Sequence, residues 1–171
     1  MHDLERFIRD IPDFPEPGIV FKDITPLLAD AKAFARAVDG LAELIDGTGA
    51  SLIAGIEARG FVFAAPVAVA LGVGFVPVRK AGKLPHETIG QEYALEYGTA
   101  VVEVHRDGIE HGTKVALVDD VLATGGTAAA TCALLEQLGA EIVGVEFLIE
   151  LGFLQGRAKL PGRPVHALLS L

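Results

Sequence analysis

The sequence contains a single cysteine and relatively few positive charges. Because Cys132 is the only thiol, no intrachain disulfide can form, which suits a reducing cytoplasm. The 14 Lys and Arg residues against 23 Asp and Glu residues give a net charge of −9, which repels nucleic acids and anionic membranes. We therefore expect no nucleic-acid or membrane partner. A phosphorylated small molecule is still allowed, since a few local cations and oriented N–H groups suffice to bind it.

Internal repeats and low-complexity linkers are also absent, so the 171 residues predict one domain. The acidic N-terminus does not resemble a secretory signal, and we expect none. Residues 61–78 carry no charge and approach the length of a membrane span. Pro66, Gly72, Gly74 and Pro77 interrupt this stretch, which favours a buried helix, a glycine turn and a strand instead.

Several common catalytic motifs are missing. The sequence has no Gly-Lys-Ser or Gly-Lys-Thr of a Walker loop, no Gly-x-Gly-x-x-Gly and no Gly-x-Ser-x-Gly of a hydrolase. The five histidines show no metal-ligand spacing. Cys132 lies in a predicted helix and is interpreted as a small core residue.

Apolar spacing predicts strands that alternate with helices. The predicted strands cover residues 51–55, 75–78, 92–95, 100–104, 114–118, 141–149 and 164–169, and the predicted helices cover residues 30–45, 59–71 and 127–138. This alternation indicates an α/β fold with a mostly parallel sheet covered by helices on both faces. The third and fourth strands form a hairpin, and the proline-rich lead-in before Thr25 and Pro26 is predicted to be irregular.

The segment from Val115 to Thr127 carries the clearest chemical signal. An apolar strand ends in Asp119 and Asp120, at the edge where ligands bind to open parallel sheets. Adjacent carboxylates there suit two neighbouring sugar hydroxyls. Next come a glycine-rich loop and a helix start, which suit a phosphate through backbone N–H groups and two threonine hydroxyls. This loop consists of Ala123, Thr124, Gly125, Gly126 and Thr127. The structural alternative is an Asp turn followed by a capped core helix.

This segment resembles the phosphoribosyl-diphosphate signature of type I phosphoribosyltransferases. The resemblance implies that Asp119 and Asp120 hold the ribose 2′- and 3′-hydroxyls and that residues 123–127 bind the 5′-phosphate. It also implies the fold of that family, with a base-binding hood over residues 1–30, a core over residues 50–150 and a mobile β-hairpin loop.

Residues 14–28 resemble the N-terminal signature of the family's adenine-specific branch. By this resemblance Phe21 stacks on adenine, and backbone groups of Val20 and Lys22 read the polar edge of the base. Lys22 stands where Arg is common, which leaves the contact of its side chain open. Without the resemblance, Phe21 would be read as a core residue.

Two cationic segments resemble the family's diphosphate-binding elements. Arg59 lies in a Gly-bounded turn after a predicted strand, where a lone Arg is normally a surface residue and unfavourable against the helix dipole. Arg79, Lys80 and Lys83 follow another predicted strand and would otherwise be a solvated charge cluster. The resemblance assigns all four residues to the diphosphate.

The segment Tyr93 to Gly98 resembles the adenine branch's mobile catalytic loop. The resemblance makes Glu96 the candidate for proton transfer at the base and Tyr97 a candidate for closing over the site. Glu96, Asp120 and Arg59 are thus the predicted catalytic residues.

The resemblance, which spans residues 14–156, implies a reaction of adenine with 5-phosphoribosyl 1-diphosphate to give AMP and diphosphate. Mg²⁺ would be held mainly by substrate oxygens and water, and the family's usual state is a homodimer. Two alternatives stay open: the same fold acting on another base such as guanine, hypoxanthine or xanthine, or a regulator that uses the site as a sensor. A regulator should carry a DNA-binding segment or a basic face, and neither is visible in the sequence.

Overall fold

The computed structural model describes residues 3–94 and 98–171. Strands and helices alternate along most of this range. They are β1 (Arg9–Pro12), β2 (Val20–Asp23), α1 (Thr25–Ala29), α2 (Ala31–Ile45), β3 (Leu52–Ile56), α3 (Arg59–Leu71), β4 (Gly74–Lys80), β5 (Thr88–Ala94), β6 (Thr99–His105), β7 (Lys114–Leu122), α4 (Gly126–Gln137), β8 (Glu141–Glu150) and β9 (Val165–Ser170). Short 3₁₀ turns cover Glu5–Phe7, Gly152–Leu154 and Gly156–Lys159.

Seven of the strands form one sheet in the order β5-β6-β4-β3-β7-β8-β9. The neighbours from β4 to β9 pair in parallel, whereas β6 is antiparallel to both β4 and β5. Alternate residues of β7 face opposite sides of this sheet: Ala116 and Val118 pack with α2 and α3, and Val115 and Leu117 pack with α4. The predicted α/β fold, a mostly parallel sheet between helices, is therefore confirmed.

The long helices begin where local chemistry predicts. Asp30 caps α2 by accepting hydrogen bonds from the backbone N–H groups of Lys32 and Ala33, at 3.0 and 2.9 Å. Helix α3 begins at Arg59, as predicted, and ends at Gly72, whose φ of +67° favours glycine. Within the described residues, no helix combines the length and apolar character needed to cross a membrane.

The prediction of an irregular N-terminal lead-in was wrong in one respect, since β1 and β2 form a separate two-stranded antiparallel sheet. Cross-strand ion pairs hold it together. Arg9 binds Asp23 at 2.6 Å, and Lys22 binds Asp10 at 2.7 Å. Because charged side chains hold these two strands together, the sequence shows no hydrophobic alternation that would have predicted them. The division into a hood and a core stays a prediction.

Strands β8 and β9 place Glu146 beside His166, with a carboxylate oxygen 3.1 Å from the His166 Nδ1. Glu146 is completely buried. Burial raises the pKa of Glu146 to about 7, although His166 and Arg157 act in the opposite direction. The folded protein therefore binds more protons than the unfolded chain between the ordinary Glu pKa of 4.5 and about 7.

Glu146→Gln is expected to remove this pH dependence. The stabilisation from the neutral carboxyl is present below pH 4.5 and is lost as pH rises through about 7. The variant should exceed the wild type in free energy of unfolding by on the order of 2 kcal/mol at pH 8 and match it near pH 5. Urea unfolding across this range measures the difference. Glu141→Gln, at an exposed position of β8, is the control. If the free energy of unfolding changes with pH in the same way in the wild type and in Glu146→Gln, the prediction is contradicted.

Candidate active site

A cavity of about 320 Å³ opens at the carboxyl ends of β3 and β7. This is the edge at which ligands bind to parallel sheets. Its walls come from the ends of both strands, the turn into α3, the loop into α4, and single residues of β4, β5 and β8. The lining residues are Ile56, Glu57, Ala58, Arg59, Lys80, Tyr93, Asp119, Asp120, Val121, Leu122, Ala123, Thr124, Gly125, Gly126, Thr127, Ala128 and Phe147.

The two predicted sugar-binding acids lie inside β7 and not beyond its end, which corrects the predicted strand boundary. Strand β7 continues to Leu122 because it still pairs with β8 there. Its pairing with β3, by contrast, stops at Val118, where β3 is close to its turn into α3. Asp119 and Asp120 therefore have a strand neighbour on one side only, and the other side opens into the cavity.

Burial dominates the electrostatics of this acid pair. Burial and the neighbouring Asp120 charge raise the pKa of Asp119 well above its ordinary value. Burial also raises the pKa of Asp120, while Arg59 partly offsets that effect. Asp119 Oδ1 accepts a 2.9 Å hydrogen bond from the backbone N–H of Asp120. The pair is therefore poised to gain from hydroxyl or cationic partners in the cavity.

The loop over residues 123–127 leads directly into α4 and lines the cavity. Gly125 has a φ of +77°, and a Cβ atom built on it would lie 2.3 Å from the carbonyl oxygen of Gly156. Only glycine fits both the conformation and the space. The first N–H groups of a helix have no partner within the helix, so this loop offers donors to an anion.

Arg59 links Asp120 to the N-terminal sheet. Its Nε lies 2.8 Å from Asp120 Oδ2, and its guanidinium lies over the Phe21 ring, 5.0 Å from the ring centroid. Phe14 contacts the same ring edge-to-face at 5.2 Å. Phe21, Arg59 and Asp120, predicted to bind the base, the diphosphate and the sugar, thus form one continuous chain of contacts.

The predicted diphosphate cluster is organised by Glu57, which sequence reasoning did not single out. Lys83 bonds to one Glu57 oxygen, and Arg79 Nε lies 3.4 Å from the other. The Lys83 hydrogen bond, aided by the Lys80 backbone N–H and by Arg79, lowers the pKa of Glu57 to about 2. Lys80 lines the cavity, whereas Arg79 and Lys83 lie outside its wall and have part of their charge offset by Glu57.

The remaining predicted residues lie elsewhere. Val20, Phe21 and Lys22 belong to β2 and do not line the cavity, and the Lys22 side chain is bound to Asp10. The Lys22 ammonium group is therefore already paired, and the predicted backbone contact of Lys22 with the base stays a prediction. Glu96 and Tyr97, predicted for proton transfer and loop closure, lie outside the described residues. Their assignments stay predictions.

Two glycines also shape the site in ways the sequence did not reveal. A Cβ atom on Gly60 would lie 2.6 Å from Asp119 Oδ1, so the first turn of α3 can approach the acid only with glycine there. Gly156 contacts the loop over residues 123–127, although it lies in the C-terminal turn, far from that loop in sequence. Neither contact follows from local periodicity, so the only sign of these roles in the sequence is that both residues are glycine.

Comparisons with known proteins agree with this geometry. Residues 27–158 match the family model described as the phosphoribosyl transferase domain. The adenine phosphoribosyltransferase of Thermobifida fusca is 56% identical over 168 residues, which cover 98% of this chain and 96% of that protein. The chain belongs to the adenine phosphoribosyltransferase family.

Solved structures of adenine phosphoribosyltransferases share the fold over almost the whole chain. The enzyme from Thermoanaerobacter pseudethanolicus superposes with a TM-score of 0.97 at 53% identity and covers 99% of both chains. The enzyme from Saccharomyces cerevisiae, solved with adenine and an imino-altritol bisphosphate, gives 0.93 at 43% identity and covers 98% of this chain and 97% of its own. The resemblance inferred from the sequence is confirmed.

Proposed function

We propose that the protein is an adenine phosphoribosyltransferase, which converts adenine and 5-phosphoribosyl 1-diphosphate to AMP and diphosphate in purine salvage. The observation that carries this proposal is the juxtaposition, in one cavity, of the acid pair and the amide-lined loop at the α4 start. A diol and a phosphate on one sugar match these two features. The yeast relative, which was solved with adenine and a bisphosphate, supports the choice of base.

The cavity supplies the parts that such a transfer needs. Asp119 and Asp120 accept hydrogen bonds from the ribose hydroxyls while residues 123–127 hold the 5′-phosphate. Breaking the bond from C1′ to the diphosphate oxygen leaves positive charge on the sugar and negative charge on the leaving group. Arg59 and Lys80 line the wall where they can offset the latter charge. Adenine N9 then bonds to C1′, and its proton passes to a base, for which Glu96 is the candidate.

Mg²⁺ belongs to this proposal. The adjacent carboxylates of Asp119 and Asp120 are hard oxygen donors, and Mg²⁺ takes one or two carboxylates together with water and substrate oxygens. Within the described residues, no group of three or more His, Cys, Asp and Glu side chains is placed to hold a metal alone. An ion held mainly by the substrate would lie next to the acid pair and would offset charge on the diphosphate.

The proposal also includes a homodimer in the cytoplasm. Val62 and Val69 lie two helical turns apart on α3 and are 36% and 82% exposed. Apolar surface of this kind is what subunit contacts bury. Light scattering measures the oligomeric state directly. The single Cys132 is a free thiol, which suits a reducing compartment.

A diphosphate-release assay tests the proposed reaction. The protein is expected to release diphosphate from phosphoribosyl diphosphate with adenine, and far less with guanine, hypoxanthine or uracil. EDTA should abolish release and excess Mg²⁺ should restore it. Equal release with guanine or hypoxanthine would favour the same fold acting on another base, and no release with any base would favour a sensor.

A further inference from the structure

The 3₁₀ turn at Gly156–Lys159 lies directly against the loop over residues 123–127. A Cβ atom on Gly156 would lie 2.2 Å from the carbonyl oxygen of Ala123, and one on Gly125 would lie 2.3 Å from the carbonyl oxygen of Gly156. Both contacts join backbone to backbone. The C-terminal turn therefore forms a rigid wall behind the loop.

The geometry of the turn directs Lys159 toward the same loop. In a 3₁₀ helix, residues three apart lie above one another, so Lys159 shares the side on which Gly156 meets the loop. Consistently, the Lys159 Nζ lies 3.9 Å from the point where a Cβ on Gly126 would sit. Gly126 is the first residue of α4, where backbone N–H groups are free to meet an anion.

Neighbouring contacts fix this turn in place. Arg157 binds Glu150 through two nitrogens, with Nε–Oε1 at 2.8 Å and Nη2–Oε2 at 2.6 Å. It also donates to the carbonyl oxygen of Val165. Leu160 is only 2% exposed and packs in the core beside α4. Lys159 thus extends from a well-anchored segment.

In the part of the chain that the structure describes, the other cations near the cavity already have a partner or an assigned role, whereas Lys159 has none. Arg59 is paired with Asp120, Lys83 and Arg79 are paired with Glu57, and Lys80, which lines the cavity, is assigned to the diphosphate. Across residues 3–94 and 98–171, Lys159 has no ion-pair partner. A phosphate at the α4 start would bring negative charge beside an ammonium group that has no such partner there.

We propose that Lys159 is a further substrate-binding residue, whose ammonium group contacts the 5′-phosphate of the sugar. The inference rests on the proposed function, since it presumes a ribose 5-phosphate in the cavity. It extends that site to the C-terminal turn and gives the phosphate a side-chain cation in addition to backbone donors. The ligand class that depends on Lys159 is the phosphorylated sugar and not the base.

Lys159→Met tests this role by comparing AMP with adenosine, which lacks the phosphate. Calorimetry is expected to show AMP binding weakened about tenfold or more, because a charge-assisted hydrogen bond is lost. Adenosine binding should stay within about twofold. The KM for phosphoribosyl diphosphate should rise by a similar factor while the KM for adenine is unchanged. Lys159→Arg should retain most AMP affinity, and Lys32→Met, at an exposed position of α2, serves as the control.

Two results would overturn the inference. One is unchanged AMP affinity in Lys159→Met, and the other is an equal loss for AMP and adenosine, which would indicate a merely structural lysine. A failure of the proposed function is distinguishable from both. In that case the wild-type protein itself neither binds AMP nor releases diphosphate.

Discussion

Asp120→Asn is expected to lower kcat/KM for the adenine reaction at least about a hundredfold. The carboxylate is 5% exposed, lies 2.8 Å from Arg59 and faces the sugar position in the proposed reaction. The amide keeps the shape of the side chain but removes the charge that stabilises a cationic C1′ and that orients Arg59. Steady-state kinetics with adenine and phosphoribosyl diphosphate measure the loss.

The Asp120→Asn protein should remain folded, because burial already disfavours the ionised carboxylate and an amide has the same volume. Its thermal midpoint and circular dichroism are therefore expected to stay close to those of the wild type. Asp39→Asn, on the exposed side of α2, is the matched control and should keep full activity. Turnover within twofold of the wild type in Asp120→Asn would remove this residue from the mechanism.

Gly125→Ala should damage both stability and nucleotide binding. The new Cβ would meet the Gly156 carbonyl oxygen at 2.3 Å in a residue held at a φ of +77°. Left-handed strain and overpacking together predict a loss of more than about 2 kcal/mol in the free energy of unfolding. Because the loop must shift to relieve the overlap, its N–H groups leave their positions, and AMP should bind more than about tenfold more weakly.

Gly162→Ala separates backbone strain from steric overlap as causes of the stability loss in Gly125→Ala. Gly162 has a nearly equal φ of +74°, but no heavy atom lies within 4 Å of its Cβ position. It should therefore show only the conformational cost, about 1 kcal/mol, with normal AMP binding. Urea unfolding and calorimetry compare the two variants. Equal losses of stability would show that the contact with Gly156 is unimportant.

Much of the architecture follows from local patterns. Helix α3 begins at Arg59 as predicted, and α2 begins at Ala31, one residue after its predicted start. Buried parallel strands appear as apolar runs bounded by glycine, which made β3 and β8 recognisable. The residues predicted to bind sugar and phosphate are close in sequence and line one cavity, and their binding roles stay predictions.

The errors concern contacts between distant segments. The end of β7 depends on its pairing with β8, and the β1–β2 sheet depends on ion pairs across the strands. The role of Glu57 depends on contacts with Arg79 and Lys83, which lie far from it in the sequence. The turn at Gly156–Lys159 contacts the loop over residues 123–127, although Gly125 and Gly156 are more than 30 positions apart in the sequence. No periodicity in the sequence encodes such juxtapositions.

In the proposed reaction, the Arg59–Asp120 contact lowers the net free energy that ribose binding can gain. Because the Arg59 guanidinium already lies 2.8 Å from the Asp120 carboxylate, a sugar bound there would replace part of this ion pair and gain only the difference in free energy. If Asp120 binds the ribose as proposed, the Arg59 guanidinium competes with the nucleotide for the same carboxylate oxygen, which would lower product affinity and favour product release.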